Sequence, residues 1–548
     1  MFKPNPNIGQ INIEDPYLLY PKYIQKTLKK TWAHFFYQHI FKNINEERFS
    51  VLFSENYSRP NAPVNILIGL LFLKEINGWI DEDMIGALYY DYRVQYALGI
   101  TDFEKERVCI NTIGNFRARL YEYSAKHGID LLEEEVNTLT GTLIEFINMN
   151  TSKARQDSLM ISANCKRMGR LELVYTVNAN MVKQLAKAWE ARIPESCRHY
   201  LEEHDKAKHV YRLKKDEVSG KLNQLLNETL ELYDATPESL REGQAFVNLA
   251  RLLDEQTKKT EDGFVPKDNS EILASSLQNP SEPDATYRKK GNKQHVGYVL
   301  NTVEARDQEK GVSIVIHHEQ QPNTTSDVDL GKNALDTDLG GVETLANDGA
   351  YYSADTVEKA EEKGIEMGFS AMTGMKTSES QIGVNEFSID EDEQIRACPA
   401  GFAPESSEYK ADKETYSAKF AKENCAACPL FDNCPVKEQK RFNKVTFTKK
   451  TLQADICRAK MGEPRYQELA AFRAGVEGIP SVLRRKYAID HIPVRGLKRS
   501  RIWVNCKIMA YNFMSVFGYC RRKAKEEDAS TFLTRVLSRF FAPLSAPA

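Results

Sequence analysis

The stretch Ala154-Arg155-Gln156-Asp157-Ser158-Leu159-Met160-Ile161-Ser162-Ala163 decides the fold, because it reads as a strand that carries a carboxylate into a sheet. Asp157, Leu159 and Ile161 alternate along it, a period of two that places them on one face. A carboxylate on such a face is expensive unless it pairs or binds a metal. Downstream, Val296–Val303 and Val312–His317 also read as strands, and Val312-Ser-Ile-Val-Ile has the apolar density of a buried central one. Residues 329–347 read as a helix then a strand, ending in Leu345-Ala346-Asn347-Asp348-Gly349. Ser353 suits the cap of a helix that Gly364 stops, and Ile365–Phe369 reads as another short strand. Strands followed by alternating helix and strand predict a mixed α/β sheet. Asp348 then sits just past a strand end, where open α/β sheets usually bind ligands.

Upstream of this sheet the chain is helical. The first 45 residues read as a basic, aromatic arm with one helix around Lys22 to Phe41. Asn61 suits the cap and Pro63 the first turn of a helix with Ile66, Leu70, Leu73 and Ile76 on one stripe, and Gly78 stops it. Asp81 and Thr112 are the expected caps of two more helices, giving a compact bundle of helix-turn-helix type. Between the strands, about Asn178 to Glu261 is highly charged and helical, as an insertion would be. Residues 374–450 are polar and hold Cys398, Cys425, Cys428 and Cys434. The Cys425-x2-Cys428 spacing is a chelating one, and with Cys434 and Cys398 it predicts one structural zinc in a four-thiolate site. Cys109, Cys165, Cys197, Cys457, Cys506 and Cys520 lack ligand spacing and read as packing residues. The paired His317-His318 lacks a ligand-spaced partner and reads as a strand end.

A long helix is expected from about Pro464, carrying Phe472, Val476 and Leu483. On it Glu477 shares a face with Arg473, four residues before, and Arg484, seven after. Pro480 should kink this helix. From Leu483 to Lys525 there are twelve basic residues and one acid, Asp490, although the whole chain has a net charge of −3. That local excess is the electrostatic footprint phosphate backbones require. The interleaved Tyr487, Trp503, Tyr511, Phe513, Phe517 and Tyr519 suggest a folded basic surface.

The composition narrows the classes. Apolar residues make up 41% of the 548 and glycine adds 29 more, which excludes wholesale disorder. The longest apolar run, Val64–Leu73, contains Asn65 and Gly69 and falls short of the about 20 residues a membrane span needs. The first residues, MFKPNPNIGQ, carry no charged-then-apolar export pattern, and ten cysteines are too few for a disulfide-dense scaffold, so the expected location is cytoplasmic. There is no P-loop, no spaced-glycine dinucleotide fingerprint and no HExxH.

Taken in order, these residues resemble one family. Arg155-Gln-Asp157-Ser-Leu-Met-Ile161-Ser-Ala-Asn164 resembles the first-aspartate strand of bacterial insertion-sequence transposases of the DDE class. Asn347-Asp348-Gly349-Ala-Tyr351 is similar to their second-aspartate motif, and Arg473-Ala-Gly-Val-Glu477-Gly with Leu483-Arg484-Arg485 to their glutamate helix. Asp284-Ala-Thr-Tyr-Arg288-Lys-Lys290 through Gly297-Tyr298 fits the segment before the second core strand. The CP pairs Cys398-Pro399, Cys428-Pro429 and Cys434-Pro435 match one branch. A tyrosine often found three residues before the arginine is replaced by Ala470, with Tyr466 a turn earlier.

The resemblance implies an RNase H-like mixed-sheet core with a helical N-terminal domain and two insertions. The expected organisation is a basic arm over 1–45, a helical DNA-binding domain over 46–150 and core segments over 151–177 and 285–373. A charged helical insertion takes 178–284, a cysteine-containing one 374–450, the glutamate helix and basic part of the core 451–525, and a tail 526–548. It also implies a DNA transposase that cuts element ends and joins the 3′-hydroxyl to target DNA. Two Mg²⁺ or Mn²⁺ ions would stabilise the attacking and leaving oxygens, Asp157 bridging them while Asp348 and Glu477 each hold one. Arg473 and Arg484 would contact phosphate or steady Glu477, and Arg495, Lys498, Arg499 and Arg501 would grip DNA. The partners would be double-stranded element ends and target DNA, bound by a homodimer, with no membrane. Two other readings share these residues: a non-catalytic DNA-binding protein derived from a transposase, and an RNase H-fold nuclease without strand transfer. The intact acid trio argues against the first.

Overall fold

The computed structural model describes residues 1–6, 16–54, 60–101, 107–189, 192–260, 263–372 and 381–540. The N-terminal part is helical: α1 (Pro16–Leu19), α2 (Lys22–Leu28), α3 (Trp32–His39), α4 (Val64–Asn77), α5 (Asp81–Tyr90), α6 (Tyr92–Ala97), α7 (Ile110–His127) and α8 (Leu131–Phe146). The expected single helix in an arm is therefore three short ones. They are no loose arm, since Phe36, Ile40 and Phe41 lie in the main hydrophobic core. Helix α4 stops at Gly78 as expected. The expected caps shift: Ile80 and Cys109 precede α5 and α7, and Asp81 instead pairs with Arg117 at 2.6 Å and Lys74 at 3.2 Å. Helix α4 is buried on nearly all sides, beyond the single stripe its periodicity suggested.

The core follows. Strand β1 (Lys153–Ser162) leads into an insertion of α9 (Arg170–Trp189), α10 (Val218–Ala235), α11 (Gln244–Gln256) and the hairpin β2 (Thr257–Thr260) with β3 (Gly263–Pro266). The insertion begins at Arg170, earlier than residue 178, because Leu173, Val174 and Val177 pack inside its own core with Leu225 and Leu249. The chain then returns through β4 (Thr286–Lys290), β5 (Lys293–Asp307), β6 (Val312–Pro322), α12 (Asp327–Asp336), β7 (Thr344–Asn347), α13 (Ala354–Glu362) and β8 (Glu366–Phe369). Strand β5 pairs antiparallel with both β1 and β6, while β7 pairs parallel with β1 and β8 with β7. The order β6-β5-β1-β7-β8, three antiparallel strands and then two parallel ones, is an RNase H-like α/β core. The short strand β4 makes a hairpin with the start of β5. Ser353 accepts a bond from Thr356 and caps α13 as expected. His317 and His318 lie within β6 and not at its end, and His318 is fixed by Asn505 at 2.8 Å.

The two faces of β1 divide the work. Leu159 and Ile161 point into the core shared with the N-terminal helices, whereas Ala154 joins Val299, Val303, Leu330 and Leu345 beneath α12. The cysteine-containing insertion is β-rich: β9 (Ser388–Ile389), β10 (Ile395–Ala397), β11 (Ser406–Lys410), β12 (Thr415–Phe420), α14 (Lys422–Ala426), β13 (Lys437–Glu438) and β14 (Asn443–Thr448). It has its own core of Phe387, Tyr416, Phe420 and Phe447. Then come α15 (Lys449–Met461), α16 (Pro464–Ala474), a 3₁₀ turn Gly475–Glu477, α17 (Gly478–Arg485) and α18 (Leu497–Phe540). The expected long helix is thus broken, four residues before Pro480, where a proline ring crowds the preceding turn. The expected basic surface over 483–525 is only partly one. Tyr487, Trp503 and Phe513 are core residues, and Lys507 is buried in an ion pair with Glu75 at 2.5 Å. No helix among the described residues is long and apolar enough to cross a membrane.

Candidate active site

The strand register brings two acids together before any side-chain contact is considered. The last parallel pair between β1 and β7 is Arg155 with Ala346, and Asp157 and Asp348 each follow two residues later. Past the end of β7 the chain turns sharply at Gly349, where a Cβ would lie 1.4 Å from the carbonyl oxygen of Ala371. Any side chain there would displace the loop that carries Asp348.

A single guanidinium joins the two carboxylates. Nη2 of Arg473 lies 3.2 Å from Oδ1 of Asp157 and 3.6 Å from Oδ2 of Asp348. Asp157 is half-buried, and burial pushes its carboxyl above the ordinary range while Arg473, and more weakly Lys290, pull it back. Arg473 is itself largely covered, and its Nε is out of solvent with no hydrogen-bond partner. Two carboxylates thus share one guanidinium, and both offer oxygen ligands of the kind hard divalent ions take.

Glu477 reaches the same place from the other side. It stands exposed at the end of the 3₁₀ turn, and with Asp157 and Arg484 it lines an open cleft of about 580 Å³. That turn is pinned by Arg155, which donates to the Phe472 carbonyl at 3.0 Å and pairs with buried Glu304 at 2.5 Å. Gly475 is needed for this: a Cβ there would stand 2.3 Å from Nη1 of Arg155. Arg473 pairs with the two aspartates, whereas the expected helix face sets it beside Glu477 to contact phosphate or steady that residue. Arg484 bonds to Asp490 and to the Met160 carbonyl, both at 3.0 Å.

The other expected DNA-binding residues are more scattered. Arg495 bonds to the Asn164 carbonyl at 3.0 Å, Arg499 stacks over Tyr121 at 4.6 Å, Arg501 bonds to the Gln320 carbonyl at 3.0 Å, and Lys498 is exposed. Sequence reasoning overlooked Lys290, Lys293 and His295, which line the cleft from the β4–β5 hairpin. The run Arg288-Lys-Lys290 beside Lys293 was the available signal. It also overlooked Arg155 and Glu304, whose partnership is created only when β1 and β5 pair.

Cys398, Cys425, Cys428 and Cys434 converge on one small cavity of the second insertion, walled by Phe402, Phe420 and Leu430. Their donor chemistry fits zinc. Among the described residues, neither these thiols nor the three acids form a set whose ligand atoms all lie within 4.8 Å of one another. Of the remaining cysteines, Cys197 and Cys506 are buried as packing residues, but Cys109 is exposed.

Residues 397–517 match a family model described as Transposase DDE domain. Residues 25–119 match a second, described as Transposase domain (DUF772). The first covers Glu477 and the four cysteines, the second most of the helical bundle; Asp157 and Asp348 lie outside both. No curated protein and no solved structure matches the chain.

Proposed function

We propose that this chain, by its two family matches a transposase of the insertion-sequence DDE class, cuts the ends of its element and joins them to target DNA in the cleft between Asp157, Asp348 and Glu477. The observation that carries the reading is Asp157, which shares the Arg473 guanidinium with Asp348 and lines one cleft with Glu477. Three carboxylates offer hard oxygen ligands suited to Mg²⁺ or Mn²⁺. Asp157, Asp348 and Glu477 would hold two such ions, which would supply stabilisation of the charge on the attacking and leaving oxygens.

The chain's own residues supply the rest. Arg473 would take the scissile phosphate through its Nη groups once its carboxylates are otherwise engaged. Lys290, Lys293 and Arg484 line the cleft and would hold the flanking backbone. In the first step water attacks phosphorus and the P–O3′ bond breaks, leaving a 3′-hydroxyl. In the second that hydroxyl attacks a target phosphodiester, forming one P–O bond and releasing another 3′-hydroxyl. Acting on two ends calls for two copies, hence a homodimer on DNA, in the cytoplasm at the nucleoid. The thiol quartet would hold one structural zinc in the second insertion.

The test is cleavage and joining of end-bearing DNA with Mg²⁺, Mn²⁺ or chelator. Wild type should cut and join only with metal. Asp157→Ala, Asp348→Ala and Glu477→Ala should each lose about a hundredfold or more, the scale of a lost charge-stabilising group. Full activity in any one variant would remove that residue from the site.

A further inference from the structure

The helical insertion holds a second constellation that the carboxylate cleft does not use. Among the described residues, His199, Asp205 and His209 form the set whose ligand atoms all lie within 4.8 Å of one another. His199 comes from the short helical segment Glu195–Leu201 and His209 from a π-turn, Ala207–Tyr211. Nδ1 of His199 lies 2.8 Å from Oδ2 of Asp205, and Nε2 of His209 lies 3.1 Å from Oδ1. The two imidazole rings stack with centroids 4.6 Å apart. Asp205 is 2% exposed, and it also accepts a bond from the Tyr175 hydroxyl at 2.7 Å.

The hydrogen-bond inventory calls for a cation. Nε2 of His199 faces Glu228 at 3.3 Å, and Glu228 is also 2% exposed. A neutral imidazole has one N–H. If Nε2–H donates to Glu228, the 2.8 Å approach of Nδ1 to the Asp205 carboxylate needs a positive charge there, carried either by an imidazolium or by a metal ion that His199, Asp205 and His209 share. Among the described residues no lysine or arginine lies within ion-pair distance of Asp205 or Glu228; Lys221 acts on both only at longer range, and Gln224 donates to the second Glu228 oxygen at 2.8 Å. A carboxylate behind a ligating histidine is the usual device that fixes its tautomer. Glu228, steadied by the Tyr200 hydroxyl at 2.6 Å, stands there.

We propose that His199, Asp205 and His209 bind one zinc ion, with Glu228 orienting His199, at a site separate from the carboxylate cleft and from the thiol quartet. Two imidazoles and a carboxylate are a zinc set; Mg²⁺ prefers oxygen alone. The ion would tie the segment between α9 and α10 to itself and, through Glu228, to α10.

The test counts zinc in the full-length chain, stripped of metal and then equilibrated with Zn²⁺ in the presence of excess Mg²⁺, added to compete for the carboxylate cleft. A chain with all four insertion cysteines changed to serine should keep one zinc, and adding His209→Gln should remove it. X-ray absorption of the zinc-loaded wild type should show imidazole in the metal shell. The proposal is overturned if the serine chain holds no zinc, if His209→Gln leaves the count unchanged, or if the shell contains only sulfur. Should either variant fail to fold, the wild-type absorption spectrum alone decides.

Discussion

Asp157 is where burial and chemistry conflict most directly. Its carboxyl is held above its ordinary value of 3.8, mainly by desolvation, with Asp348 adding a little repulsion. A raised acid binds its proton more tightly folded than unfolded, so its stabilising contribution is complete below pH 3.8 and is lost as pH rises through the raised value. Asp157→Asn should therefore gain stability relative to wild type as pH climbs through that window, while losing metal-dependent cleavage. Thermal melts across the window, paired with a cleavage assay, check both halves. A constant stability difference at all pH values would show that Asp157 is not strained by burial. Adding Mg²⁺ should stabilise the wild type and leave the variant less affected.

At the scale of elements, the glutamate-bearing turn depends on β1. Arg155 joins buried Glu304 to the Phe472 carbonyl, and Tyr511 donates to the other Glu304 oxygen at 2.9 Å. Arg155→Ala would leave Glu304 buried without its cation, a cost of about 3–5 kcal/mol. Denaturant unfolding should register that loss, and cleavage should fall because the Glu477 turn is no longer anchored. The β4–β5 hairpin makes a different contribution. Lys290 and Lys293 line the cleft, and each phosphate contact contributes roughly 0.9 to the salt slope of binding. Changing both to serine should flatten that slope by about 2 for every DNA sequence alike. An unchanged slope in a salt titration would place the DNA elsewhere.

For the whole molecule, α18 is the axis. It packs against α4, α8 and β6, and one hydrophobic core runs from Phe36 and Leu70 through Leu300 and Ile314 to Phe513. The helical N-terminal part is therefore not an independent module that can be removed cleanly. Lys507 on α18, bonded to Glu75 on α4 and to the Tyr487 carbonyl at 2.6 Å, is the buried charge at that junction. Lys507→Ala should cost about 3 kcal/mol in denaturant unfolding. A chain lacking residues 1–150 should aggregate on size exclusion, since it would expose the apolar face of α18. A monodisperse, folded truncation would contradict the shared core.

The features legible in the sequence are local in their causes. Alternation along β1, the apolar run of β6, the Ser353 cap and the Gly78 stop each follow from period or backbone chemistry, and together they specify a mixed α/β core. Asp157 and Asp348 stand out in the sequence because each sits at a position where a carboxylate needs a reason. Only the register of β7 against β1 brings them to one guanidinium. Arg473 pairs with Asp157 and Asp348 and not with Glu477, because the expected helix breaks after Ala474 and Arg155 clamps the turn that follows. The tertiary structure also decided that Lys507 and Trp503, which read as surface, are interior, because a helix placed between two layers buries every side. The set of His199, Asp205 and His209 was invisible to spacing for the same reason. Its ligands are oriented by a π-turn and by Glu228 from the next helix, contacts that exist only once the insertion has folded.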